Sequence, residues 1–230
     1  MRDFCYDLAA ALPTLLATGK HGKLAAAIKR AMSTASGYQD LSDARDALLL
    51  LRRLTKEKDI SSRFAEDDLS MMTGALFAQA VILYTRATDT KPIERQKWFG
   101  RDKLSGEDRQ FHQEVMSLRD HALAHFGRAA ELTDGALVKE ALVMERDGNA
   151  VKIAFYSSRA QNRAAFAASL LALVERVQRL AYDATQARYA DLGAALAAAS
   201  KLDPAVPTLM RGFAFDGEGF FPTKGWQDRV

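Results

Sequence analysis

Cysteine occurs once in this 230-residue chain, at Cys5, which excludes an intramolecular disulfide and a cysteine-based zinc site and fits a reducing, cytoplasmic setting. Proline is scarce, with five residues, so little interrupts helix formation. A long apolar run is also missing. The longest uncharged stretch, Leu69 to Thr85, falls short of the roughly 20 apolar residues of a membrane span and contains Ser, Thr and Gln. The apolar run from Leu8 to Ala17 lacks the basic flank of a secretory signal, because Asp3 and Asp7 stand there, and Pro13 interrupts it. No membrane association is expected. Charge of one sign is missing too: 32 Lys and Arg against 29 Asp and Glu leave a net +3, with a sequence pI near 9.0. That balance permits an anionic partner such as RNA without requiring one.

What is abundant is Ala and Leu at helical spacing, which predicts an all-α fold: an antiparallel helical bundle in a single domain over residues 1–230. Helices are expected over Asp3–Ala17 and Lys23–Ala35, with a turn at Gly19 to Gly22. Ser42 reads as the N-cap of another helix over Asp43–Thr55, with Leu48, Leu51 and Leu54 on one side. A helix opening at Asp67 or Asp68 and reaching Ala87 is apolar around most of its circumference and should be central. Ser105, followed by Glu107 and Asp108, starts a helix that should reach Phe126 and stop at Gly127. From Ala160 to about Ser200 the helical period returns, with Phe166, Leu170, Leu173, Val174, Val177 and Leu180 on one stripe.

One segment breaks the helical period. Leu142 and Met144 take alternate positions just before the charged Glu145 and Arg146, Val151, Ile153 and Phe155 alternate with Lys152 and Ala154, and Asp147, Gly148 and Asn149 lie between. This predicts a small inserted β-hairpin over about 137–157. The tail over about 204–230, rich in Gly and Phe, is expected to be irregular. Its GFAFDGEGFF stretch lacks the lysine of a phosphate-binding loop.

Chemistry concentrates in the helix from Ser105. His112, His121 and His125, three of the four histidines, lie there beside Arg119 and Asp120. Arg119, a polar residue, four further positions and His125, within LRDHALAH, resemble the defining motif of the HEPN superfamily, with Leu118 before the arginine and Ala124 before the histidine. Asp120 stands where that family often has Asn; it could orient His125 but would also repel phosphate. The resemblance implies a metal-independent endoribonuclease of the toxin or phage-defence type, homodimeric, with its site between two subunits and an antitoxin as a further partner. It implies no cofactor. Attack by the RNA's own 2′-hydroxyl needs a proton removed there and one supplied to the leaving 5′-oxygen, and an imidazole with a pKa near about 6.5 can do either. Arg119 would bind the phosphate as it gains charge, Asp120 would orient, and His125 would move the proton.

Six positions turn a helix through about 600°, which leaves Arg119 and His125 about 120° apart. A single straight helix does not make the site. The reach of arginine, unwinding near Gly127, or a second subunit must bring the two together.

His121 and His125, at i and i+4, share a face and raise a metal-binding alternative. Ala122, however, occupies the Glu position of an HExxH arrangement, and no metal is expected. His112 stands seven residues before Arg119, either touching phosphate or, as the expectation favours, facing solvent. Lys91, Arg95, Lys97 and Arg101 interleave with Trp98, a pattern that suits single-stranded nucleic acid. The competing expectation is a connecting loop whose Trp98 packs down on the bundle. A non-catalytic nucleotide- or protein-binding module is the alternative function.

Overall fold

The computed structural model describes residues 5–88, 97–120, 138–147, 150–159 and 164–220. The described chain is helical apart from one two-stranded ribbon: α1 (Leu8–Ala17), α2 (Gly22–Lys56), α3 (Lys58–Ser61), α4 (Glu66–Thr88), α5 (Gly106–Leu118), β1 (Val138–Asp147), β2 (Ala150–Arg159), α6 (Ala164–Leu202), α7 (Ala205–Arg211) and α8 (Gly217–Phe220). The expected all-α bundle with a small hairpin is therefore the fold. Among the described residues, no helix is long and apolar enough to cross a membrane.

Two compact units emerge, residues 35–183 and residues 1–34 with 184–230. In the larger unit the core draws Leu41, Leu48 and Leu51 from α2, Phe77, Val81 and Tyr84 from α4, Val115 and Leu118 from α5, and Leu170, Leu173, Val174 and Val177 from α6. The C-terminal half of α4 is buried on most sides, as a central helix must be. Its first turn carries Glu66, Asp67 and Asp68, acids that complement the positive end of the helix dipole. On α6 the expected stripe is buried from Phe166 to Val177, while Leu180 is half-buried.

The smaller unit closes around Ala11 and Leu15 of α1, Leu24 and Ile28, and Val206 and Met210 of α7. Asp7 caps α1 by accepting from the Ala10 amide at 2.9 Å, so this helix starts at Leu8, five residues after the expected Asp3. Gly19 adopts φ 65° in the turn that follows, a conformation glycine reaches without steric cost. The described part of the tail, residues 204–220, is more ordered than expected. It forms α7 and α8, and residues on either side of Tyr6 and Ala214 bond to each other, with the Asp7 amide donating to the Phe213 carbonyl at 2.8 Å and the Phe215 amide to the Cys5 carbonyl at 2.9 Å.

The clearest departure is α2, one unbroken helix where two were expected. Ser42 does not cap: its hydroxyl donates to the Tyr38 carbonyl at 3.0 Å, inside the same helix, and accepts from Gln178 Nε2 at 2.9 Å. Gly37, which could have ended a helix, sits mid-helix for a different reason. A Cβ there would collide with the indole of Trp98. Likewise α6 runs without a break.

The hairpin forms with the predicted alternation and slightly longer strands. β1 and β2 pair antiparallel over their whole length, with Leu142 opposite Phe155, Met144 opposite Ile153 and Glu145 opposite Lys152.

Candidate functional site

α5 places the candidate residues. Ser105 caps it, accepting from the Asp108 amide at 3.2 Å, and its inward stripe is His112, Val115 and Leu118. Three-residue steps keep these on one side of the helix. Asp108, in the first turn, accepts from two guanidinium nitrogens of Arg176 on α6, Nε at 3.0 Å and Nη2. This two-pronged pair ties the start of α5 to α6.

His112 overturns the expectation that it faces solvent. It is 1% exposed, and its Nδ1 lies 2.9 Å from the Tyr84 hydroxyl of α4. The two rings meet edge-on, their centroids 5.8 Å apart, and the Phe99 ring flanks the imidazole at the same separation. Burial is tolerated because the polar nitrogen has a partner. Burial, with a smaller contribution from Asp108 and against the opposing effect of Arg176, pushes the Tyr84 hydroxyl well above its ordinary pKa, so it stays a neutral donor or acceptor. A side chain sealed in the core cannot reach a phosphate, so His112 is a packing residue.

Trp98 follows the loop-packing expectation. Its ring lies against Gly37 of α2, half-buried, beside the Phe99 ring, which is 2% exposed. Its backbone carbonyl accepts from Lys103 Nζ at 3.3 Å. The indole is thus engaged with the bundle rather than presented for base stacking. Lys97 and Arg101 are exposed at either end of this segment. Lys91 and Arg95 lie outside the described residues.

Arg119 and Asp120 follow Leu118 in a wider, π-type turn. Leu118 anchors this end of the helix in the core at 2% exposure, and the next two side chains emerge at the surface. The Arg119 guanidinium meets Asp120 Oδ1 at 2.6 Å, with the two side chains 41% and 50% exposed. An exposed pair of this kind contributes about 0–1 kcal/mol, so it positions the arginine without locking it. His121 and His125 lie outside the described residues, and so does the Arg119-to-His125 geometry. Among the described residues, no group of three or more His, Cys, Asp or Glu is arranged to hold a metal ion.

Two features had no sequence signal strong enough to single them out. One is the pairing of Arg86 with Asp40, whose side chain is 5% exposed; Arg86 Nε donates at 2.9 Å, and this hydrogen bond raises the arginine's pKa. The other is a surface groove of about 510 Å³ in the larger unit, lined by Tyr38, Arg45, Gln178, Arg179, Tyr182 and Asp183. Its arginines share the surface with Asp183 and with Glu175, 3.8 Å from Arg45, so the groove has no marked preference for anions.

Compared with protein-family models, with curated proteins and with solved structures, the chain gives no significant match.

Proposed function

We propose that the chain is a HEPN-like, metal-independent endoribonuclease that acts as a cytoplasmic homodimer. The observation that carries this reading is the placement of Arg119: in a helical bundle, it stands at the surface immediately after the buried Leu118, its guanidinium held by Asp120. The RDHALAH segment begins at that point. In the proposed reaction the RNA 2′-oxygen attacks the adjacent phosphorus. A bond from phosphorus to the 2′-oxygen forms as the bond to the 5′-oxygen breaks, leaving a 2′,3′-cyclic phosphate and a 5′-hydroxyl. His125 of one copy takes the 2′-hydroxyl proton, and His125 of the other supplies a proton to the 5′-oxygen. Arg119 binds the non-bridging oxygens as charge builds on them. Control by an antitoxin, or a role in phage defence, belongs to the same reading.

A mixed RNA pool incubated with the purified protein in excess chelator tests the proposal. Arg119→Ala and His125→Ala should each lower cleavage about 100-fold or more. A second reading, a non-catalytic module that binds a nucleotide or protein, is favoured by the same Arg119–Asp120 pair, because a guanidinium engaged by Asp120 is less free to stabilise charge building on a reacting phosphate. RNA retention without cleavage would select it.

A further inference from the structure

The hairpin carries an apolar face that the described chain leaves open. Leu142 and Met144 of β1 stand directly opposite Phe155 and Ile153 of β2, so all four side chains share one side of the ribbon. Their exposures are 74, 70, 62 and 66% respectively. A two-stranded ribbon is only marginally stable alone in water, and an open apolar face on it marks a surface made to be covered.

We propose that this face docks against the same face of a second copy. The two ribbons stack tip over base, about a two-fold axis that crosses the strands between the Leu142–Phe155 and Met144–Ile153 pairs. Two observations select a second copy as the occupant. The first is area. Four side chains at these exposures amount to roughly 500 Å² on each copy, so stacking hides about 1,000 Å², the threshold of a specific interface. The second is self-complementarity: the rotation sets Leu142 over Met144 of the other copy and Phe155 over Ile153, so the apolar block covers itself. This interface stands on the ribbon alone and does not depend on whether the chain cleaves RNA.

Sedimentation equilibrium of the full chain at low to tens of micromolar tests the proposal. A monomer–dimer equilibrium is expected, and the double variant Leu142→Glu/Phe155→Glu should weaken it at least ten-fold with helical circular dichroism unchanged. Cross-linking provides a readout that leaves the apolar block nearly intact. Cys5→Ser removes the one natural thiol; in that background Met144→Cys should join two copies through a short bismaleimide, and Lys152→Cys, on the opposite face, should not. A chain that is monomeric throughout overturns the proposal. So does a dimer that the two glutamates leave intact, or one in which Met144→Cys joins no better than Lys152→Cys.

Discussion

The Tyr84 hydroxyl and the His112 imidazole meet at 2.9 Å in the core of the larger unit, joining α4 to α5 through a buried polar contact. Substituting Tyr84 by Phe removes one side of that contact while preserving the ring. Thermal unfolding should show a loss of about 1–2 kcal/mol, in the range for a buried hydrogen bond broken from one side. A loss below a few tenths of a kcal/mol would mean that the contact contributes little.

The same tyrosine gives a pH prediction. Its folded-state pKa lies above the ordinary 10.0, chiefly through burial. Above pH 10 the unfolded chain therefore releases a proton that the folded chain retains, and stability falls as pH rises. The contribution is present in full below pH 10 and is progressively lost above it. Melting temperatures measured across pH 9 to 11 should fall less steeply for Tyr84→Phe than for the natural chain. Parallel slopes would contradict this.

Gly37→Ala separates propensity from packing. In an open helix, alanine would add about 1 kcal/mol of stability over glycine. Here the added methyl meets the Trp98 indole, so overpacking should win and the variant should lose about 1–3 kcal/mol. Denaturant titration gives the sign, and Trp98 fluorescence in a Trp226→Phe background should shift to the red as the indole is displaced. A stabilised variant would contradict this account of α2.

These contacts also explain what the sequence could and could not reveal. The α6 stripe was legible because burial on one side imposes a period on many residues at once, and the hairpin because a strand sends alternate residues to opposite faces. Ser42 was misleading for the opposite reason: it carries a local signal for a helix start, and a single distant partner, Gln178, engages it within an unbroken helix. His112 was misread because a polar residue on a helix looks alike whether it meets water or a tyrosine 28 positions away. The charges at Arg119 and Asp120 were legible as a motif, and their direct pairing follows from adjacency at a helix end.

That pairing makes a prediction about RNA. Asp120→Asn keeps the side chain's size and removes the charge that competes with phosphate for Arg119. Affinity for a short single-stranded RNA, measured by fluorescence anisotropy in a His125→Ala background that prevents cleavage, should rise up to about five-fold, the scale of an exposed ion pair. The gain should shrink as salt is raised. Unchanged affinity would place Arg119 away from the RNA.

The chemistry of the product ends tests the central claim most directly. A 5′-labelled RNA is incubated in excess chelator with the natural chain or with His125→Ala purified in the same way, and the fragments are analysed by mass spectrometry. The account predicts fragments ending in 2′,3′-cyclic phosphate, with 5′-hydroxyl partners, from the natural chain alone. Intact RNA with both proteins, or identical fragments from both, would contradict it.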